Sequence, residues 1–137
     1  MKDLHHDVKY TLAEAPAAAV TDNTPFVSTI LDTANFAVNE FILLLGSIAD
    51  VDATFTVLFE DGDDSALADA AAVADTALLG TEALATPLFS DDNSTKKIGY
   101  IGAKRYLRVT ITPAANSGDI YLAALWAQGG ARVAPQA

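Results

Sequence analysis

The sequence predicts an all-β fold, an antiparallel β-sandwich of the jelly-roll kind with a short helical insertion and an extended N-terminal arm. Short apolar segments with a two-residue period recur from residue 26 onward, and turns rich in Gly, Asp, Asn and Pro separate them. Few helical segments interrupt this pattern. With 137 residues, 51% of them hydrophobic, the chain suits one domain with a substantial core.

The chain is expected to divide into an arm, a sandwich and a tail. Residues 1–25 contain one extended piece, Val8 to Leu12, and two prolines that argue against a long helix, so they are interpreted as an N-terminal arm. Residues 26–130 form the predicted sandwich domain. Residues 131–137 are predicted to be a flexible tail.

The strands follow from the alternation of apolar and polar residues. In the third of them, Phe55, Val57 and Phe59 share one face and Thr54 and Thr56 share the other, which is typical of a strand buried on one side only. The expected strands cover residues 26–31, 36–45, 52–60, 97–101, 104–112 and 120–126.

The second predicted strand is apolar on both faces. Phe41, Leu43 and Leu45 point one way, and Ile42 and Leu44 point the other. Such a strand is either enclosed by the fold or covered on one side by another molecule.

Residues 61–92 lack the strand period and are predicted to be a surface insertion. The alanine density from Ala66 to Ala77 favours one or two short helical turns, which Ser65 or the 64–69 region could cap.

Composition excludes several function classes. The formal net charge of −10 argues against a nucleic-acid partner, and no apolar run is long enough to span a membrane. The absence of cysteine excludes disulfides and thiolate metal sites. The N-terminus lacks the apolar centre of a secretory signal, so we expect a product made in the cytoplasm.

Five of the eight basic residues lie in residues 96–109, namely Lys96, Lys97, Lys104, Arg105 and Arg108. Strand alternation divides these cations between two faces, whereas a nucleic-acid surface needs one continuous basic patch. The simpler interpretation is that they pair with the abundant carboxylates. In the alternative, Arg105 or Arg108 anchors a protein partner.

No motif for catalysis or for a cofactor is visible, so the sequence predicts a protein that is not an enzyme, with neither cofactor nor metal. The acidic run at residues 60–64 does not match a calcium-binding loop. His5 and His6 are adjacent near a terminus without a third ligand close by.

Two blocks of sequence resemble a family of small head proteins from tailed bacteriophages and prophages. They read DATFTVLFEDGDDSALADAAAVADTALLGTE and DDNSTKKIGYIGAKRYLRVTITPAANSGDIYLAALWAQGG, and the resemblance covers residues 26–130. It implies a virion structural protein that decorates and stabilises the capsid exterior. The implied partners are the major capsid protein and further copies of the chain, as a homotrimer.

Two alternatives stay open, a carbohydrate-binding adhesion module and a tail or head-tail joining component. For the first, Tyr100, Tyr106, Tyr121 and Trp126 are possible stacking platforms for sugars. The residues expected at a partner or oligomer interface are His5, Val8, Tyr10, Phe41, Leu43, Leu45, Arg105, Arg108 and Trp126.

Overall fold

A computed structural model describes residues 3–132, and these residues form two antiparallel sheets packed face to face. Sheet A contains, in spatial order, β1 (Val8–Glu14), β10 (Ile120–Ala131), β4 (Phe36–Ile48), β8 (Thr95–Tyr100) and β7 (Leu78–Leu79). Sheet B contains β2 (Phe26–Val27) and β3 (Leu31–Asp32), both beside β9 (Tyr106–Ala114), then β5 (Thr54–Gly62) and β6 (Ala71–Ala72). Two single turns of helix, α1 (Leu4–Asp7) and α2 (Glu82–Ala85), and two 3₁₀ turns, Asp75–Ala77 and Phe89–Asp91, complete the described elements.

The strand order is that of a jelly roll. Along the chain, β1, β2 with β3, β4 and β5 alternate between the sheets, and β6, β8, β9 and β10 alternate on the way back. Each returning strand pairs with an outgoing one, as in β1 with β10 and β5 with β9. Two interleaved sets of this kind define the double-sheet jelly roll. The predicted antiparallel β-sandwich is therefore confirmed.

The core lies between the inner faces of the two sheets. Trp126 of sheet A touches Phe41 of the same sheet and Phe59 of sheet B, with ring centroids 5.1 and 5.9 Å apart. Phe59 also stacks on Tyr100 at 6.1 Å. This aromatic cluster joins the sheets at their centre, and aliphatic residues from both sheets surround it.

Part of the segment expected to be an N-terminal arm, residues 8–14, belongs to sheet A. β1 pairs with β10 from Val8↔Gly129 to Glu14↔Ala124 and forms an edge of sheet A. The sequence of β1 shows little alternation of apolar and polar residues. Its position in sheet A is therefore determined by pairing with β10, which lies far along the chain. The predicted strand 26–31 is also split, because the hydroxyl of the buried Ser28 takes the place of a backbone group and accepts a hydrogen bond from the Val109 amide at 2.9 Å.

The insertion contributes to both sheets, with β6 beside β5 and β7 beside β8. The helical turns expected over residues 66–77 are reduced to one 3₁₀ turn. The carboxylates of Asp64 and Asp69 accept hydrogen bonds from nearby backbone amides, which favours turns over helix. The exposed Asp69 carboxylate accepts hydrogen bonds from the amides of Asp63 and Asp64, and these bonds lower the pKa of its carboxyl.

The insertion covers the edge of β5 at Phe59, next to the residues that pair with β6. The Glu82 carboxylate accepts a hydrogen bond from the Phe59 amide at 2.5 Å, and the Phe59 carbonyl accepts one from the Val73 amide at 2.9 Å. At the other sheet, the Ala13 carbonyl of β1 accepts a hydrogen bond from the Thr29 amide. Parts of two edge strands are thus covered by other segments of the same chain.

Of the predicted tail, Ala131 belongs to β10, and residues 133–137 lie outside the described residues. Within residues 3–132, no helix has the length and apolarity needed to cross a membrane.

Candidate docking surface

The outer face of sheet A is mostly apolar. Cross-strand registers place the side chains of four rows on it, for example Leu12, Leu125, Ile42 and Lys97 in one row. We call this surface the sheet A face. It comprises Val8, Tyr10, Leu12, Val38, Glu40, Ile42, Leu44, Gly46, Leu79, Thr95, Lys97, Gly99, Tyr121, Ala123, Leu125, Ala127 and Gly129.

Many of these side chains are open to solvent. Tyr10, Leu12, Val38, Leu79 and Tyr121 are each close to or more than half exposed. Glu40 and Lys97 are the charged residues of the sheet A face as defined above. In a chain of net charge −10, a face of this size with so little charge is unusual for a surface that stays in water.

Glycines shape the sheet A face into shallow hollows. Leu79 lies directly over Gly99, where any added Cβ would come within 3.0 Å of the Leu79 Cβ. One hollow of about 270 Å³ lies over Gly129 between Tyr10 and Val38. A second, of about 240 Å³, lies beside Gly46 at the other end of the face. The surface can therefore receive protruding side chains of a partner.

The outer face of sheet B has a different composition. We call it the sheet B face, and its outward residues are Val27, Thr54, Thr56, Leu58, Glu60, Arg108, Thr110, Thr112 and Ala114. Threonine dominates, and Arg108 Nη2 lies 3.0 Å from Glu60 Oε1 in a directly opposite cross-strand pair. This face has the composition of a solvated sheet surface.

Four residues expected at an interface belong to the core instead. Phe41, Leu43, Leu45 and Trp126 are all nearly inaccessible to solvent, because their side of β4 and β10 faces sheet B. The opposite side of the same strands is the exposed one. The fold of residues 3–132 does not enclose the outer side of β4 at Ile42 and Leu44, so its covering by another molecule stays a prediction.

The remaining expected residues lie at or near the surface. Val8 and Tyr10 belong to the sheet A face, and His5 lies in the exposed turn α1. Sequence reasoning missed Leu12 and Val38 and considered Tyr121 only for sugar stacking, although the two-sided apolar pattern of β4 was the available signal for such a face.

The two arginines pair with carboxylates of the chain itself. Arg105 Nε and Nη2 each donate to a different oxygen of Asp32 at 2.9 Å, and this hydrogen bonding lowers the pKa of the Asp32 carboxyl. Arg108 pairs with Glu60 as described. Both guanidinium groups therefore satisfy much of their donor capacity within the chain.

Two of the three lysines in the same segment also pair with carboxylates of the chain. Lys104 Nζ lies 2.6 Å from Asp63 Oδ2, and Lys96 Nζ lies 2.9 Å from Asp91 Oδ2. The hydrogen bond from Lys96 lowers the pKa of the Asp91 carboxyl. Lys97 has no carboxylate within 4.0 Å among residues 3–132 and projects from the sheet A face.

The four aromatic residues considered for sugar stacking do not form a common platform. Tyr100 and Trp126 are buried, and the Arg105 guanidinium lies over the Tyr106 ring at 5.1 Å. The Tyr100 hydroxyl donates to Asp61 at 2.7 Å, and burial together with this bond raises the pKa of Tyr100. Tyr121 is the well-exposed member of the four.

Within the described part of the chain, no group of three or more His, Cys, Asp or Glu side chains is arranged to hold a metal ion. The acidic loop at residues 60–64 uses its carboxylates internally, as the Asp61 and Asp63 bonds illustrate.

No protein-family model matches the sequence, and no curated protein is significantly similar to it. Solved structures with a similar arrangement include a chain of infectious bursal disease virus, Gx strain, at 11% identity and a TM-score of 0.45, covering 93% of this chain and 33% of that one. The SPBc2 prophage-derived protein YomS matches at 13% identity and a TM-score of 0.37, covering 88% and 93% of the two chains.

A family GH115 4-O-methyl-α-glucuronidase also matches, at 14% identity and a TM-score of 0.42, covering 87% of this chain and 17% of that one. The chain thus spans about a third of the virus protein and a smaller part of the glucuronidase. A viral and a prophage protein are among the neighbours, but likenesses at this level do not assign a function.

Proposed function

We propose that the protein is a non-enzymatic virion component that docks on the outside of a phage head through the sheet A face and stabilises the shell. The observation that carries this proposal is the apolar composition of that face, set against the solvated sheet B face of the same domain. Contiguous exposed apolar surface is characteristic of protein docking sites. The likeness of residues 26–130 to phage head proteins supplies the kind of partner.

The choice of a protein partner over a sugar rests on the chemistry of the face. Jelly rolls serve both viral shells and lectins, so the fold does not choose between them. Sugar sites combine aromatic platforms with several polar groups, whereas the sheet A face is mainly aliphatic and carries Glu40 and Lys97 as its charges. That composition favours a protein surface, here the major capsid protein.

The proposed partners include further copies of the chain. A homotrimer would hold three sheet A faces in fixed relation, and several weak contacts on a symmetric lattice then add up through effective concentration. The acidic remainder of the surface keeps the protein soluble before assembly. The protein would be made in the host cytoplasm and end on the capsid exterior.

Co-sedimentation with empty heads of the phage or prophage that encodes the chain tests this function. Leu12 and Val38 are 53% and 58% exposed, so each has about 1 kcal/mol left to gain on complete burial. In the double variant Leu12→Lys/Val38→Lys this gain is lost and two ammonium groups must be desolvated. We expect retention on heads to weaken about thirtyfold or more.

The matched control is Thr56→Lys/Thr110→Lys on the sheet B face, which adds the same charge and is expected to leave retention unchanged. Equal loss in both variants, or no retention of the unaltered protein, would contradict the proposal. Image reconstruction of decorated heads and the mass of the free protein by sedimentation then test exterior location and trimer formation. Density at the tail or neck would favour a joining component instead.

Tyr121 keeps the carbohydrate alternative open to a direct test. Binding on a glycan array that disappears in Tyr121→Ala, without retention on heads, would favour the adhesion module.

A further inference from the structure

A cleft of about 340 Å³ lies at one end of the sandwich, between β1, the segment that follows it, β2 and the start of β10. Apolar side chains, among them Ala17, Val20, Phe26 and Ile120, share the lining of this cleft with polar atoms. Glu14 is the one charged residue among the lining residues in the described part of the chain. A carboxylate in such surroundings needs a structural explanation.

A β-bulge aims Glu14 into this cleft. In the ladder between β1 and β10, Leu12 pairs with Leu125, but Glu14 pairs with Ala124, so Ala13 is an extra residue on β1. The bulge moves Glu14 from the outward row of Leu12 to the register of Ala124, whose side chain is buried between the sheets. Bulges at sheet edges commonly redirect a side chain in this way.

The Glu14 carboxylate has no hydrogen-bond or ion-pair partner among residues 3–132. Burial raises the pKa of Glu14, because the ionised form has lost part of its hydration. A cation placed in the cleft would restore that lost stabilisation. Among the described residues that line the cleft, no second carboxylate completes a site for a metal ion.

We propose that the cleft binds one lysine or arginine side chain of the docked partner protein, with the aliphatic stem against the apolar side chains of the lining and the cation at Glu14. This inference rests on the proposed function for the partner. The cleft adjoins the hollow beside Gly46 on the sheet A face, since Ala17 lines both. A protein that covers that face can therefore reach the cleft with a single basic side chain. The net charge of −10 further favours a basic partner residue.

The isolated protein can be tested with n-butylammonium, which mimics the lysine side chain, and with the neutral 1-butanol of similar shape. Amide resonances of Ala15, Ala17 and Val20 should shift on titration with butylammonium at neutral pH. Glu14→Gln keeps the size of the side chain, and we expect it to weaken butylammonium binding about fivefold without changing the response to butanol. Asp75→Asn, the same charge change at an exposed site in the insertion, should bind like the unaltered protein.

The same titration has a second readout. Butylammonium should lower the pKa of Glu14, followed through its carboxyl carbon, and butanol should not. Equal binding by Glu14→Gln, or butanol binding as tightly as butylammonium, overturns the proposal.

Retention of Glu14→Gln on heads shows whether the cation comes from a partner's side chain or from a free amine. A loss of about fivefold supports a partner's side chain. Full retention, combined with lost butylammonium binding, means that the cleft takes a free amine and overturns the proposal. If butylammonium binds as expected but even the unaltered protein is not retained on heads, the function proposed above fails while the preference of the cleft for cations stands.

Discussion

The sheet A face and the sheet B face are both built on antiparallel strands, yet they present different side chains. On the sheet B face, threonines and the Arg108–Glu60 pair cover the strands. On the sheet A face, the corresponding outward positions hold residues such as Leu12, Val38 and Leu44. The strand period is the same on both, so the difference lies in the outward side chains alone. The composition of the sheet B face is typical of a solvated surface, and the apolar sheet A face is the one on which the docking proposal rests.

The pairing of basic residues also differs between the two faces. Arg105 and Arg108 lie on the sheet B side and pair with Asp32 and Glu60. Lys97, on the sheet A face, lacks such a partner among residues 3–132. Within the basic segment of residues 96–109, Lys97 is thus the cation that lacks a carboxylate partner in the described part of the chain.

The largest expected effect is on the free energy of unfolding, and it distinguishes the inner side of β10 from its outer side. Trp126 is 0% exposed and contacts aromatic rings of both sheets, so Trp126→Ala should lower the free energy of unfolding by about 3–5 kcal/mol. Urea unfolding measures it. Tyr121→Ala, on the outer side of the same strand, should cost about 1 kcal/mol or less. Equal losses would mean that the chain itself covers the sheet A face.

The next effect tests the apolar character of the sheet A face without a shell. Leu12→Ser/Val38→Ser removes two exposed apolar side chains and should weaken binding of the neutral dye Nile red about tenfold. Fluorescence titration measures this affinity. Val27→Ser/Leu58→Ser on the sheet B face is the matched control, and an equal loss there would remove the distinction between the faces.

A smaller effect concerns the ion pair of the sheet B face. A double-mutant cycle with Arg108→Met and Glu60→Gln should give a coupling free energy of about 1 kcal/mol that decreases with added salt, because the pair is only partly buried. Denaturant unfolding of the four proteins supplies the cycle. Zero coupling would leave Arg108 available as the anchor for a partner that the sequence also allowed.

The smallest effects depend on pH and have opposite signs in two carboxyl groups. Burial raises the pKa of Glu14 in the native state, so the native protein binds this proton more tightly than the unfolded chain does. Stability should fall as pH rises from the ordinary pKa of glutamate through the raised value. Glu14→Gln removes this loss and should melt slightly higher than the unaltered protein at neutral pH, with the difference vanishing in acid.

Asp32 provides the contrasting case. The hydrogen bond from Arg105 lowers its pKa, so its stabilisation is present above the ordinary pKa of aspartate and is lost as pH falls through the lowered value. Asp32→Asn should therefore melt lower than the unaltered protein at neutral pH and match it in strong acid. Melting curves across a pH series measure both variants, and the same sign for the two would contradict these assignments.

The sandwich could be predicted where one strand face is clearly polar. Phe55, Val57 and Phe59 are buried, and Thr54 and Thr56 are exposed, as their alternation indicated. In β4 both faces are apolar, so the pattern could not tell which side enters the core. Packing against sheet B decides it, and that information lies in other strands.

Other features depend on contacts between distant parts of the chain. β1 has little alternation of its own, and its partner β10 lies at the opposite end of the described residues. The bulge at Ala13 follows from the register of that pairing, so the orientation of Glu14 could not be predicted from its neighbours. Arg105 and Asp32 are likewise 73 residues apart, and composition could predict only that such pairs would exist.

The Glu82 side chain covers the edge of β5 at Phe59, and this limits how copies of the protein can pair edge to edge. The Glu82 carboxylate occupies the Phe59 amide that an incoming chain would need for ladder growth. Pairing of a second chain with this part of the β5 edge is therefore disfavoured. A second chain would have to displace the Glu82 side chain before it could pair with β5 at Phe59.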